Sequence, residues 1–314
     1  MSLGLKSQKE RDKDADVVRI YFGDIRKASS SEVRDGEVSL IVTSPPYFNA
    51  PFDYPDLFPS YKDYLELIRS LASLSKRVLG TGRICAIVTD DMLVKEGKNS
   101  RGTRYPLVAD TTKIFLDEGL LYRDKITWVK PAGYTRISRR SGVVLQHPYP
   151  MYFYPDNIQE SILIFQNGQF DYGDLKAKPK RILESSKIDT TVLNRERWNL
   201  TVWNITNVLP VAGRVEEGIA AFPEEIPRRL ITLFTIVGET VFDPFAGSGT
   251  TLKVARELGR NGIGYEIDLE LKKTMRRKLE REDLRIEEKA GARRLRKGLQ
   301  SRIHGQRSSA RVLA

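Results

Sequence analysis

The chain has one cysteine, Cys85, among 314 residues, so it can form no internal disulfide. A reducing compartment fits that usage, and a small disulfide-stapled secreted scaffold does not. Histidine is nearly as scarce. With only His147 and His304 beside that cysteine, a Cys/His zinc site lacks ligands, and no metal is expected. Long apolar runs are missing too. The most apolar stretch, Leu230 to Val237, falls far short of the ~20 residues a spanning helix needs. Residues 1–16 are rich in Lys, Arg and Asp and lack the apolar centre of a signal peptide. The expectation is a soluble, cytoplasmic protein with no membrane partner.

What is present is an ordinary globular balance, 40% hydrophobic and 30% charged, enough for one large domain or two smaller ones. The net charge of +11 is unevenly placed. From Leu271 onward there are 15 basic and 5 acidic residues, against 37 and 36 before it. A nearly neutral body thus carries a cationic tail. A phosphate partner is compatible with that charge, but charge alone does not place one on the body.

Residues 17–22 and 38–43 read as strands, the second stopped by Pro45-Pro46. Residues 61–79 put Tyr64, Leu67, Ile68 and Leu71 at helical spacing, with Gly80 as the stop. Strands over 83–89 and 121–129 flank a helix over 106–120. The pattern breaks at Pro131. Residues 131–204 mix aromatics, prolines and basic side chains irregularly, with one strand, Ser161 to Phe165, inside. Regularity resumes with helices over 224–236 and 250–258 and strands over 240–242 and 262–267. The tail from 271 is helix-prone, with Leu271, Met275 and Leu279 on one face. This alternation predicts an α/β domain with a largely parallel sheet.

Two loops carry chemistry. Asp243-Pro-Phe-Ala-Gly-Ser-Gly-Thr250 follows a strand and opens a helix. Its glycines let backbone N–H groups approach a ligand where open α/β sheets bind cofactors. Glu266 lies 19 positions beyond Gly247, at the end of the next strand, where an acid can accept from ribose hydroxyls. A nucleoside-bearing cofactor is expected. A phosphate-cradling nucleotide loop would need Lys after Gly249, where Thr250 stands. The dinucleotide fingerprint would need glycine where Leu252 stands, and Gly247-Ser248-Gly249 is no hydrolase elbow.

The second loop, Thr43-Ser-Pro-Pro-Tyr47, also ends a strand. Two prolines fix two φ angles and remove two donors. They leave a rigid edge of carbonyls, the Ser44 hydroxyl and the Tyr47 ring. Such a set suits the exocyclic NH2 of a planar base. On its own it suits a strand-terminating turn equally well.

Together the two loops resemble those of the beta group of S-adenosylmethionine-dependent DNA amino-methyltransferases. There the catalytic segment precedes the cofactor segment, a permuted order. Tyr21-Phe-Gly-Asp24, Phe222-Pro-Glu-Glu-Ile-Pro227 and Thr127-Trp-Val-Lys-Pro131 are similar to further segments of that group, and the likeness covers about residues 17–270. It implies a Rossmann-like, mixed open sheet with helices on both faces, a hairpin-like final strand pair and the two loops side by side. It divides the chain into a catalytic half (17–130), a target-recognition region (131–204), a cofactor half (205–270) and the basic tail (271–314).

The resemblance also implies roles. Asp243, Phe245, Ala246, Gly247, Ser248, Gly249 and Thr250 would hold S-adenosylmethionine, with Glu266 on the ribose and Asp24 at the adenine. Ser44, Pro45, Pro46 and Tyr47 would hold the target base. Ser at the first catalytic position implies cytosine N4, whereas Asp there accompanies adenine N6; by chemistry alone either residue is a suitable acceptor. Methylation at cytosine C5 would need a cysteine nucleophile, and Cys85 sits inside an apolar strand instead.

A base in duplex DNA must be flipped out to reach such a pocket. The candidate DNA face is residues 121–150, with Arg123, Lys125, Lys130, Arg136, Arg139 and Arg140 against the single acid Asp124. Lys130, Arg136, Arg139, Arg140 and Asn204 are the candidate DNA-binding residues. His147 reads either as a base contact or as a structural hydrogen-bonding group. The tail reads either as an added DNA-binding arm or as a solvated charged helix. Membership would imply the protective half of a restriction–modification pair, beside an endonuclease of the same specificity, and members of the group often form homodimers. A catalytically silent DNA-binding protein on the same fold is the rival from another class, and the two intact loops argue against it.

Overall fold

The computed structural model describes residues 17–50, 57–94, 102–130, 157–206, 222–280 and 284–295. Its strands are β1 (Val18–Phe22), β2 (Val38–Thr43), β3 (Leu79–Thr89), β4 (Met92–Val94), β5 (Thr103–Tyr105), β6 (Leu121–Val129), β7 (Gln159–Asn167), β8 (Val202–Asn204), β9 (Thr240–Asp243), β10 (Asn261–Glu266) and β11 (Arg285–Glu288). Its helices are α1 (Tyr61–Val78), α2 (Leu107–Asp117), α3 (Tyr172–Lys176), α4 (Lys180–Ser185), α5 (Thr190–Arg195), α6 (Glu225–Phe234), α7 (Thr250–Glu257) and α8 (Lys272–Leu279).

Nine strands form one sheet in the order β11-β1-β10-β9-β2-β3-β7-β6-β8, and β4 pairs with β5 apart from it. Within the large sheet only β7 runs against its neighbours. β6 and β7 form an antiparallel pair, but not the final pair that the resemblance implied, because β8 lies beyond β6 and pairs with it in parallel. The central strands are buried on both sides. All six residues of β2 are buried, as expected for a central strand covered by helices on each face.

The two faces separate by strand alternation. Ile41, Cys85, Ile87 and Phe242 face one core, with Tyr64, Leu67, Ile68 and Leu71 of α1 and Ile114 and Phe115 of α2. Leu40, Val42, Ile84, Ala86 and Val241 face the other, with Leu230 and Ile231 of α6 and Val254 and Ala255 of α7. Ser60 caps α1 by accepting from the Asp63 N–H, so the helix begins one residue after it.

Several elements differ from the sequence expectation. Gly80 does not stop a helix: α1 ends at Val78, and β3 starts at once and runs through Gly80. The backbone can turn so sharply because Leu79 is already extended, with φ −73° and ψ 130°. Strands β7 and β8 belong to the main sheet although they fall within residues 131–204. Between them α3, α4 and α5 bury no residue of their own, which is why no apolar period marked them.

The start of the tail is integrated as well. Leu271, Met275 and Leu279 of the tail stripe are all buried, and Met275 and Leu279 share a cluster with Val18, Ile20, Phe22, Ala246 and Leu252. Strand β11 then pairs in parallel with β1. The described tail residues, 271–280 and 284–295, are therefore packed on the domain and are neither an appended arm nor a freely solvated helix. Among the described residues no helix is long and apolar enough to cross a membrane.

Candidate active site

In a parallel sheet, strand order decides which loops meet. β9 and β2 are neighbours, so the loops leaving their C-terminal ends share one edge. A direct bond joins them. Thr43 Oγ1 donates to Asp243 Oδ1 at 2.6 Å, across 200 residues of chain. The same Oδ1 accepts the Phe245 N–H at 3.1 Å and so shapes the turn after β9. Asp243 is buried, and that burial pushes its pKa up to about 6 against the pull of these bonds. Thr43→Val keeps the shape but removes the donor. It should lower unfolding stability by about 1–3 kcal/mol, measurable by urea denaturation.

The turn then brings Gly247 and Gly249 into left-handed backbone, at φ +54° and +89°, and α7 starts after them. A Cβ at Gly249 would lie 3.0 Å from Met275, so α8 packs directly on the loop. At Gly247 it would meet only the Phe245 carbonyl at 3.9 Å, so that flank is open. Ser248 and Thr250 are buried, and Lys278 of α8 donates to both hydroxyls, at 3.1 and 2.7 Å. Lys278 carried no sequence signal, because it reads as one more charge in a basic stretch.

Glu266, at the end of β10, turns back toward this loop. Its Oε2 accepts the Gly247 N–H at 2.8 Å and its Oε1 the Asp268 N–H at 2.9 Å. Burial raises its pKa to about 7, with the nearby Asp268 adding to the rise. Each carboxylate oxygen still has a lone pair for another donor. Asp24 lies beyond the end of β1, the strand next to β10, and caps a short turn by accepting the Arg26 N–H. Burial works against its charge. The Arg26 side chain, bonded to both its oxygens, outweighs that and holds the carboxyl below its ordinary range. Gly291 packs on it, since a Cβ there would stand 2.7 Å from Asp24 Cβ.

The donor set fits the methyl donor the resemblance implied. A buried acid with spare acceptor capacity can take ribose hydroxyls. The open flank at Gly247 admits a ligand. Buried carboxyls at the ends of β9 and β10 suit a cationic sulfonium compound.

On the other loop, Pro45 is buried while Ser44, Pro46 and Tyr47 are partly exposed. Phe48 anchors the loop from behind, packing on Tyr105 at 4.7 Å and Tyr61 at 5.1 Å between ring centres. Tyr47 and Phe245 both pack against the core on the same face of the sheet. The Tyr47 hydroxyl donates to Glu160 Oε2 at 2.7 Å, a contact no local pattern announces. Burial, then the charges of Glu160 and Asp90, push the phenol well above its ordinary range, so it stays protonated. Cys85 is buried in β3 with its thiol pushed up to about 12, which leaves no thiolate for attack on a base.

Of the candidate DNA-binding residues, Lys130 directs its ammonium to Glu160 and over the Trp128 ring, at 4.9 Å from the ring centre. Asn204 is exposed at the end of β8, beside Val129. Arg136, Arg139, Arg140 and His147 lie outside the described residues.

A family model described as DNA methylase matches residues 38–277. The Type II methyltransferase M.MjaI of Methanocaldococcus jannaschii is 34% identical over 289 residues, covering 83% of this chain and 90% of that one. M.MthZI of Methanothermobacter thermautotrophicus is 30% identical, covering 80% and 73%. Among solved structures, a DNA modification methylase from Thermus thermophilus, complexed with S-adenosyl-L-methionine, superposes with a TM-score of 0.65. It is 25% identical and covers 88% of this chain and 100% of its own. The PvuII DNA methyltransferase, titled cytosine-N4-specific, shares the fold at a TM-score of 0.58 and 16% identity, covering 87% and 91%. With the two loops joined at one sheet edge and this breadth of similarity, the chain belongs to the DNA methylase family and is an S-adenosylmethionine-dependent DNA methyltransferase.

Proposed function

We propose that the chain methylates the exocyclic N4 of a cytosine flipped out of double-stranded DNA, as the protective member of a restriction–modification pair. The Thr43–Asp243 bond carries this reading, because it joins the base-holding loop to the cofactor loop. S-adenosylmethionine supplies a methyl group made electrophilic by its sulfonium charge. Asp243, Phe245, Ala246, Gly247, Ser248, Gly249 and Thr250 would hold it. Glu266 would take the ribose hydroxyls. Asp24 would serve the adenine end together with Arg26, which already engages both its carboxylate oxygens.

The amine nitrogen of a base is a poor nucleophile because its lone pair is delocalised into the ring. Ser44 Oγ and the Pro45 carbonyl accept its two N–H bonds, favour a pyramidal nitrogen and so free the lone pair. Pro46 keeps that edge rigid, and Tyr47 stacks on the base face. Alignment of this kind can contribute ~7–11 kcal/mol to the rate. The proton leaves after transfer, to water directly or through Ser44. Ser44 in the first catalytic position supports cytosine. Arg136, Arg139, Arg140 and Asn204 would grip the DNA, with recognition assigned to residues 131–204.

Modification-detecting sequencing of DNA from a host expressing the chain, followed by nucleoside analysis, tests the reading. N4-methylcytosine at one short sequence is the expected product. N6-methyladenine would move the base assignment to adenine, and an absence of methylated bases would overturn the proposed activity.

A further inference from the structure

Tyr47 is separated from Glu160 by 113 residues, yet its hydroxyl points at that carboxylate. Glu160 uses its two oxygens separately: Oε2 accepts from Tyr47 and Oε1 takes the ammonium of Lys130. These partners sit on rigid elements. Glu160 stands opposite Trp128 across the antiparallel β6–β7 pair, and the Lys130 N–H extends that ladder to the Ile158 carbonyl at 2.8 Å. Trp128 is buried, and its indole N–H donates to the Ile205 carbonyl at 2.8 Å. The Lys130 ammonium lies over the Trp128 ring. A continuous path therefore runs from a buried indole, through a cation and a carboxylate, to the para position of the Tyr47 ring.

Building on the reading of Tyr47 as the base-stacking ring, we propose that Glu160, braced by Lys130, is a positioning residue that fixes the tilt of that ring. A phenyl side chain turns about two torsions, and its loop fixes only the root. The hydroxyl oxygen lies on the Cβ–Cγ axis, so a hydrogen bond there holds the direction of that axis, and the preference of the phenolic O–H for the ring plane biases the turn about it before a base arrives. Lys130 also balances the charge that Glu160 and Asp90 would otherwise concentrate near the phenol. Lys130 is thereby reassigned from a phosphate contact to a brace. It follows β6 and Glu160 lies in β7, so the brace ties both of these strands to the base pocket.

The test is methyl incorporation from tritiated donor into unmethylated duplex DNA carrying the mapped site, together with fluorescence of 2-aminopurine placed at the target base. Tyr47→Phe and Glu160→Ala should each lower kcat/KM by roughly tenfold to a hundredfold, and the double variant should be no worse than either alone. Each should alter the 2-aminopurine signal in the same way while donor affinity by calorimetry is unchanged. Glu160→Gln keeps an acceptor for the phenol but loses the ion pair, and should recover most of the loss.

Additive losses, an unimpaired Tyr47→Phe, or a Glu160→Gln as poor as Glu160→Ala would overturn the positioning role. Tyr47→Phe leaves β7 untouched, so it decides the matter even where Glu160→Ala fails to fold. A Tyr47→Ala variant with full activity would instead refute the base-stacking reading beneath the proposal.

Discussion

Asp243→Ala is expected to weaken binding of S-adenosylmethionine by on the order of a hundredfold or more and to abolish detectable methyl transfer. One oxygen, Oδ1, serves two buried donors from two loops, the Thr43 hydroxyl and the Phe245 N–H. Truncation leaves both without an acceptor, at about 1–3 kcal/mol each. The turn over Phe245, Ala246 and Gly247 loses its fastening at the same stroke. Asp243→Asn should behave differently. An amide oxygen in the Oδ1 position satisfies both donors, so this variant should retain donor binding within about tenfold. Calorimetry on the pair separates the two explanations. Equal loss in both would mean that the charge of Asp243, rather than its acceptor geometry, holds the loop.

The second large effect is on pH. Burial raises Glu266 to about 7 in the folded chain, from an ordinary value of 4.5. Ribose hydroxyls donate best to the ionised carboxylate. At pH 6 only about one molecule in ten has that form, so the apparent donor affinity should be about tenfold weaker at pH 6 than at pH 8. It should level off above pH 8. Stability of the chain without its donor moves the other way. A carboxyl raised on folding binds more protons in the native state, so stability is fullest below about pH 4.5 for this group and falls as pH rises toward 7. Asp243, raised to about 6, adds to the same fall. Calorimetry across pH 6–8 and thermal melts across pH 5–8 check both signs. Glu266→Gln should flatten the affinity profile, and a wild-type profile already flat over that range would remove Glu266 from the binding step.

The site was legible where its residues are contiguous. Thr43 to Tyr47 and Asp243 to Thr250 are unbroken segments, each at the end of a strand whose apolar run was plain. Their adjacency was not local information. It came from the resemblance, and the β9–β2 pairing with its Thr43–Asp243 bond now gives it a physical basis. Glu160 was missed because its partner is distant in sequence, and Lys130 was read by its charge alone. Lys278 was hidden the same way. β11 reads Arg-Ile-Glu-Glu, with one apolar residue, because an edge strand needs backbone bonds more than side-chain burial. Gly80 misled because a glycine after a helix usually closes it, whereas this chain enters β3 with no loop.

β1 precedes every other described strand, yet its two neighbours, β10 and β11, follow all the rest. A ribosome must add the whole intervening polypeptide before Val18 can find Gly262. At ~5–20 residues per second, that wait is on the order of ten seconds or longer, with an apolar segment exposed to chaperones and to other nascent chains. The central seam, β2 against β9, closes almost as late. Translation order thus acts as a timer: a polypeptide halted before β9 has no joined cofactor and base edge, and DNA modification waits until those late strands have been made.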